Sequence, residues 1–516
     1  VVLFPEKGAI FWELDVKRQV KNHIRWSGNN EISLQEAQMR TFSNFAWMFL
    51  QTEGDYNFSS GSRGRGNLSS TANPYFLFPQ IYNFRYNIYS SEWPVANRAI
   101  ELYLQKKSEN EGWERQINGL SNNEKANLLL EKHTFKELLA DVEQRNLQNN
   151  IVGLEASRLF ARSEINMGVD AFRDSLYAML KRNTFLNIKF ENMLDTLGEM
   201  SRTDLYSYLK EWEQLTPLPF YSIGEPELTK VVNKGGEEFF VLKVLVSNNS
   251  DYDGIIQMNV LQNGWWYQPM EDPRARKKVE IAAHTSKEFV SVWEEQIRDV
   301  EINTMVSGNL PYMIRQSIGN VKQERNKIVK DTIYTLPESS LEMPGEVIVD
   351  NEDSTLFVLS TPAVVGLLPK WLDKVEDTSF KYSGISWWRA PLQWTATTNA
   401  KYYGKYIRSA YVIKSGDGSQ TATWKIPVPE AGQYELYYHV FKDDELRWND
   451  RLQGEYHFRV AYDSEMEDAY INLRKANEGW EQLGTYYFSA DTVRVVLTDE
   501  CKLRSVTADA VKIVKR

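Results

Sequence analysis

The sequence is poor in histidine and cysteine, two residue types that commonly hold zinc. No two of its five histidines stand four residues apart: His23, His133, His284, His439 and His457. A His-Glu-x-x-His pair, which places two imidazoles one helical turn apart on a metal ion, therefore cannot be formed. The single cysteine, Cys501, excludes an intrachain disulfide and a cysteine zinc site, and we expect it to be a buried strand residue. We predict no metal-binding, cofactor-binding or catalytic residues.

Long apolar runs and an excess of positive charge are also absent. No stretch of about 18 apolar residues could span a bilayer, so we predict no transmembrane segment. The formal net charge of -10 disfavours nucleic acid as a partner, because such proteins usually present a basic face. The start, Val1–Pro5, has no charged region of a signal peptide. We expect either that an export signal has been removed or that the chain begins partway through a longer product.

What the chain does contain is a helical pattern followed by strand patterns, which predicts a multidomain α+β protein. Apolar residues recur at helical spacing in residues 31–50 and from Glu124 to Trp212. Pro217 and Pro219 end this pattern, because proline cannot donate to a helical ladder. We therefore predict a mainly helical region over residues 1–219.

After residue 219 the apolar period changes to two, which is typical of strands. Residues 220–334 predict a β-sandwich, and this region resembles an Ig-like domain. Within it, Glu238–Val246 and Ile255–Leu261 flank a turn cluster and are expected to form a hairpin. Residues 335–345 resemble a linker, and residues 346–516 predict a second β-sandwich.

Residues 151–221 resemble the part of gluzincin-type zinc aminopeptidases that follows their metal site. The residues that carry the resemblance are Gly153, Phe172, Leu176, Leu180, Phe185, Asn187, Phe190, Leu194, Leu197, Asp204, Leu205, Trp212, Leu218 and Pro219. The resemblance implies a third zinc ligand where this chain has Asn97, a poor substitute for a carboxylate. It also implies a tyrosine shortly before Gly153, where none stands. The resemblance therefore implies a scaffold that has lost its catalytic groups.

The C-terminal region resembles golvesin C-terminal-like domains, which occur beside xanthan lyases. The resemblance is carried by EVIVDNED at 346–353, TATWKIPVPEAGQYELYYHV at 421–440, GWEQLGTYYF at 479–488 and VTADAVKIV at 506–514. It implies a β-sandwich on a secreted bacterial protein, with a binding or adhesive role. Asp509 resembles a site residue, although we expect a buried carboxylate that accepts backbone hydrogen bonds.

Aromatic residues make up 13% of the chain, and some of them could stack on sugars. We predict contacts with a glycan or a partner at six positions: Trp387, Trp388, Trp394, Tyr402, Tyr403 and Trp448. Because neighbouring side chains of an extended chain point to opposite sides, at most one of Trp387 and Trp388 is expected to face solvent.

Three functions remain open from the sequence. The first is a non-catalytic, peptidase-like scaffold of an exported bacterial protein, periplasmic or at the cell surface, that contacts another protein or a surface glycan. The second is the C-terminal part of an active zinc peptidase whose metal-binding segment is absent from this chain. The third is a carbohydrate-active or carbohydrate-binding protein, although no sequence motif brings a lyase-type base and an arginine together.

Overall fold

The structure is a computed structural model, and it describes most of the chain after residue 85. The described residues are 17, 20–25, 32–41, 86–104, 111–141, 143–183, 186–232, 235–261, 272–319, 321–325, 330–339, 341, 345–360, 380–385, 390–442, 454–463 and 465–516. They divide into two compact units. One contains the described residues up to 104 together with 126–217 and 277–280, and the other contains the remainder.

Helices dominate the chain between residues 96 and 213. Those with defined bounds are α1 (Ala96–Leu104), α2 (Glu111–Asn118), α3 (Asn122–Leu130), α4 (Phe135–Ala140), α5 (Gln148–Met167), α6 (Val169–Arg182), α7 (Phe190–Ser201) and α8 (Leu205–Leu209). Short 3-10 helices occupy 143–146, 210–213 and 273–275. Helical residues also occur at 20–25 and 34–41, the second inside the helix expected over 31–50.

Trp212 is the centre of the aromatic core in the helical unit. It is 2% exposed, and its ring lies 4.7 Å from that of Phe135 and 5.2 Å from that of Trp93. Phe135 is held there by a local device, because Thr134 and Glu137 form a reciprocal capping box at the start of α4. Apolar residues that recur at helical spacing in the sequence therefore pack together in the core of the helical unit.

One short segment departs from the helical pattern. Strand β2 (Leu186–Lys189) pairs in parallel with β1 (Tyr86–Tyr89), between α6 and α7. The expectation of helix almost throughout 124–212 is wrong here, because four residues are too few to reveal a strand period. Asn97 uses its Oδ1 to accept the Ile88 N–H at 3.2 Å. Its amide therefore ties α1 to β1.

Residues 221–337 form the middle sandwich. Its strands are β3 (Tyr221–Ile223), β4 (Glu227–Val232), β5 (Glu238–Asn248), β6 (Gly254–Leu261), β7 (Arg276–Ile281), β8 (Thr285–Trp293), β9 (Asp299–Asn303), β10 (Met313–Ser317), β11 (Val321–Arg325) and β12 (Thr332–Pro337). One sheet has the order β11-β4-β5-β8-β12 with β3 beside β5, and the other has the order β10-β9-β6-β7. The last strand reaches three residues into the segment expected to be a linker.

The prediction of a hairpin between residues 238 and 261 is wrong. Strands β5 and β6 are consecutive, but β5 pairs with β4 and β8, whereas β6 pairs with β9 in the other sheet. Asn248 explains the crossing, because its side-chain amide donates to the carbonyls of Tyr252 and Ile281. These bonds turn the chain away from the sheet of β5, so the turn cluster connects two sheets.

Residues 346–516 contain the C-terminal sandwich. Its strands are β13 (Glu346–Val349), β14 (Phe357–Leu359), β15 (Thr395–Thr398), β16 (Ser409–Lys414), β17 (Thr421–Pro427), β18 (Gly432–Val440), β19 (Glu455–Tyr462), β20 (Glu465–Asn472), β21 (Gly479–Phe488), β22 (Thr492–Thr498), β23 (Ser505–Ala508) and β24 (Val511–Lys515). They form a four-stranded sheet, β13-β24-β18-β21, a five-stranded sheet, β14-β17-β22-β19-β20, and a small sheet, β15-β16-β23.

The core of the C-terminal sandwich lies between its two larger sheets. Along β18 buried residues alternate with partly exposed ones, and Tyr438 points inward. Its ring lies 4.9 Å from that of Phe458 on β19 and 6.1 Å from that of Trp424 on β17. All three side chains are fully buried. The two sheets therefore face each other across one aromatic core, and their outer faces point in opposite directions.

Cys501 does not lie in a strand, contrary to expectation. It follows the end of β22 and is half-buried against the core. Burial raises the pKa of its thiol, so it is a poor nucleophile near neutral pH.

The two sandwiches are joined by backbone hydrogen bonds within the second unit. The Leu310 N–H donates to the Tyr406 carbonyl at 3.1 Å, and the Arg408 N–H donates to the Leu310 carbonyl at 2.6 Å. The ring of Tyr406 also packs 5.5 Å from that of Phe220. These contacts hold the loop before β16 in a defined position, and this loop carries Tyr403.

Candidate ligand-binding face

A buried carboxylate, Asp509, organises one end of the C-terminal sandwich. It lies between β23 and β24 and is 0% exposed. Both of its carboxylate oxygens accept the Tyr403 N–H at 3.2 Å, and Oδ2 lies 2.8 Å from Nδ1 of His439. Its own carbonyl accepts the indole N–H of Trp424 at 3.2 Å. The expectation of a buried carboxylate that accepts backbone hydrogen bonds is confirmed, and the histidine is an additional partner.

The charge of Asp509 is only partly compensated. Burial raises the pKa of its carboxyl group, while His439, the Tyr403 N–H and Arg408 act in the opposite direction. Burial also lowers the pKa of the Arg408 guanidinium to about 10. An unpaired buried charge would be costly, so these partners hold one another in place.

His439 is held between Asp509 and two aromatic rings. The imidazole centroid lies 5.2 Å from that of Trp480 in an edge-on arrangement, and 5.8 Å from that of Tyr403. The rings of Tyr403 and Trp480 are themselves 5.0 Å apart. The ammonium group of Lys512 lies 4.9 Å above the Trp480 ring and 5.3 Å from that of Tyr437. Glu346 pairs with this ammonium at 2.9 Å.

Strand register explains why these side chains share one face. Tyr437 and His439 are two residues apart on β18, so both point outward between buried neighbours. His439 is paired with Trp480 of β21, and Tyr437 is paired with Lys512 of β24. Directly opposite residues of antiparallel strands lie on the same side of a sheet. We call this set the ring platform, defined as Tyr403, Tyr437, His439, Trp480 and Lys512.

The ring platform includes one of the six contact residues expected from the sequence, Tyr403. Its neighbour Tyr402 is buried, 6% exposed, and packs 4.7 Å from the ring of Phe441. Trp394 is partly buried and packs against the sandwich core. Contacts of Tyr402 and Trp394 with a glycan or a partner stay predictions. The other three expected residues, Trp387, Trp388 and Trp448, lie outside the described residues.

Sequence reasoning missed the other four members of the ring platform. The signal available was the alternation in Tyr434–Val440, which places Tyr437 and His439 on one face. Nothing in the sequence pairs that face with Trp480, because the pairing joins strands more than 35 residues apart.

The described part of the chain offers no metal centre, since no three or more His, Cys, Asp or Glu side chains converge there in a suitable group. Likewise, none of its helices has the length and apolar character needed to cross a membrane.

Residues 388–515 match the golvesin C-terminal domain. The golvesin part of the sequence expectation is therefore confirmed, as is the mixed helical and β architecture. No comparison supports the gluzincin part, which stays a prediction. Among curated proteins, none matches the sequence significantly.

Three solved structures show weak overall similarity. A Paenibacillus xanthan lyase is 18% identical, and the match covers 58% of this chain and 27% of that chain with a TM-score of 0.24. A Bacteroides uniformis β-glucuronidase is 11% identical, with coverages of 60% and 31% and a TM-score of 0.17. The CBM35 from Cellvibrio japonicus Abf62 is 13% identical, with coverages of 22% and 75% and a TM-score of 0.16. This chain thus spans less than a third of either enzyme, and likenesses of this strength carry no argument about activity.

Proposed function

We propose that the C-terminal sandwich binds a carbohydrate through the ring platform, as part of an exported protein that acts at the cell surface or in the periplasm. The observation that carries this proposal is a histidine, His439, fixed by the buried Asp509 and in contact with Trp480 and Tyr403. A polar group held among aromatic rings on an outer sheet face combines stacking surface with a directed hydrogen bond.

Aromatic rings suit this role because the C–H face of a pyranose stacks on a planar π-system. Rings that already pack against one another lose little conformational freedom when a ligand arrives, which improves affinity. Trp480 contacts three groups, which are the rings of Tyr403 and His439 and the ammonium group of Lys512. The ring platform is therefore pre-organised before the ligand binds.

Polar atoms of the ring platform would set the orientation of the sugar. With Nδ1 of His439 engaged by Asp509, its Nε2 is the ring nitrogen left for a hydroxyl group. Asp509 is a positioning residue, since it acts through the imidazole. Lys512 adds a donor, and its pairing with Glu346 keeps the local charge balanced.

The peptidase-related functions remain alternatives with a separate test. A non-catalytic scaffold role for the helical unit is compatible with carbohydrate binding by the C-terminal sandwich. An active zinc peptidase would require ligands beyond the described residues. Stoichiometric zinc in the purified protein, with aminopeptidase activity that a chelator abolishes, would favour that alternative.

The test of carbohydrate binding is a glycan array followed by titration calorimetry on the full chain. We expect a glycan to bind, and Trp480→Ala to weaken binding by about 2 kcal/mol or more, roughly thirtyfold, as for buried aromatic anchors of other interfaces. Tyr334→Ala is the matched control, because Tyr334 is an exposed ring, 50% accessible, on β12 of the middle sandwich. Absence of glycan binding, or equal affinity of Trp480→Ala and the wild type, would overturn the proposal.

A further inference from the structure

The opposite outer face of the C-terminal sandwich carries a second histidine and tyrosine in contact. His457 of β19 is paired with Tyr470 of β20. Their rings are nearly parallel, with centroids 4.9 Å apart and an interplanar angle of 8°. Tyr470 is 59% exposed. One face of its ring is thus covered by the imidazole, while much of the rest is open to solvent.

His457 is itself fixed from both ring nitrogens. Its Nε2 lies 2.8 Å from Oδ1 of Asp468, and its Nδ1 lies 3.3 Å from Oε2 of Glu500. The hydroxyl of Thr498 approaches the same Nδ1 at 3.4 Å. Only 12% of the His457 side chain is exposed. The imidazole is therefore a rigid support that holds the Tyr470 ring in one orientation.

This pair lies on the far side of the sandwich from the ring platform. His439 points outward from β18 in the four-stranded sheet, whereas His457 points outward from β19 in the five-stranded sheet. Between them lies the aromatic core in which Tyr438 contacts Phe458. A single sugar unit is too small to contact both outer faces of the sandwich, so the two faces would act as separate sites.

The carboxylates that hold His457 beside Tyr470 indicate the class of ligand. The Asp468 and Glu500 side chains are 59% and 62% exposed and carry the same charge. Carboxylates accept hydrogen bonds from sugar hydroxyls, but they repel the carboxylates of uronic acids. Arg459 is paired with Asp468 in the strand register and offsets one of these charges, which leaves Glu500 to repel an acidic sugar. A stacking ring in this setting therefore suits an uncharged sugar.

We infer that Tyr470, supported by His457, is a second carbohydrate-binding site, specific for neutral glycans, and that one C-terminal sandwich can therefore link two glycan strands. The inference rests on the proposed function of the ring platform. Its physical consequence is bivalency, because two sites that face in opposite directions bridge separate chains more readily than they bind one chain twice.

The test uses affinity electrophoresis of the full chain in gels that contain xyloglucan, galactomannan or polygalacturonate. In the Trp480→Ala background, where the ring platform is disabled, we expect retardation by at least one neutral polysaccharide. Adding Tyr470→Ala should weaken that binding at least tenfold, and adding Tyr470→Phe should leave it nearly unchanged. Tyr334→Ala serves as the control for loss of an exposed ring. Polygalacturonate binding should not depend on Tyr470.

The outcomes separate the two proposals. If the wild type binds a glycan but Trp480→Ala abolishes all binding, the second site is refuted while the ring platform stands. If Tyr470→Ala changes no neutral binding in either background, the second site is likewise refuted. If no glycan binds the wild type, both proposals fail. As an independent readout, the wild type should make a solution of the bound polysaccharide turbid, and each single variant should not.

Discussion

Removing the Asp509 carboxylate is the most direct test of the reasoning about the ring platform. In Asp509→Ala, the Tyr403 N–H loses both acceptor oxygens and Nδ1 of His439 loses its 2.8 Å partner. Each buried donor left unsatisfied costs about 1–3 kcal/mol. Two donors lose their acceptor in this variant, so we expect a loss of stability of about 4 kcal/mol in the C-terminal sandwich.

Hydrogen exchange of the full chain, followed by mass spectrometry, resolves where this loss occurs. Peptides that cover 432–440 and 505–515 should exchange faster by a factor on the order of a hundred to a few thousand, because each 1.4 kcal/mol is tenfold. Peptides from β5 in the middle sandwich serve as the internal reference. The reasoning is refuted if exchange in 432–440 changes less than threefold.

Asp509→Asn refines the same prediction, because it keeps an acceptor oxygen but removes the charge. The native pKa of Asp509 is raised above its unfolded value by burial. Its contribution to stability is therefore complete below the unfolded pKa, near 4, and declines as pH rises through the native pKa. The difference in unfolding free energy between wild type and Asp509→Asn should show this slope. A flat difference across that range would contradict it.

Three further local features can be tested. Thr134→Ala removes the capping box of α4 and should cost about 1 kcal/mol in urea denaturation, whereas Thr134→Ser should restore it. Gly119→Ala should cost about 2–4 kcal/mol, because φ is +79° and the added Cβ would lie 2.3 Å from the Ser383 carbonyl carbon. Gly236→Ala is the control, because φ is +84° but no atom lies within 4 Å of the added Cβ, so only the cost of the backbone conformation is expected. Equal losses of stability in the two variants would contradict a steric clash at Gly119. Hydrogen bonds to two carboxylates raise the pKa of His284. The protonated imidazole should therefore stabilise the fold below about pH 6.5, and this contribution should decline as pH rises through the native pKa. An NMR titration that finds an ordinary pKa for His284 would contradict this.

Much of the fold is predictable because burial leaves a periodic mark on the sequence. The alternation in 434–440 indicates a strand with one buried face, and β18 has that pattern. Helical spacing from Glu124 to Trp212 similarly predicts the helices of the first unit. The hairpin prediction failed because alternation identifies a strand but not its partner, and the side chain of Asn248 redirects the chain.

Less of the candidate site was predictable. Of the expected contact residues, Tyr403 belongs to the ring platform, whereas its neighbour Tyr402 is buried against Phe441. Composition could not separate them, because both are tyrosines in the same loop. The position of that loop depends on hydrogen bonds to Leu310, almost a hundred residues earlier.

The sequence alone determined which residue types are available. It has too few histidines and cysteines for the common zinc motifs, abundant aromatic rings, and strands with one apolar side. Only the tertiary structure decided which rings meet. Residues 439 and 480 are opposite because β18 and β21 pair, and residue 509 reaches the imidazole because β24 lies beside β18. Such contacts depend on sheet register, which emerges from packing the whole core and leaves no local trace in the chain.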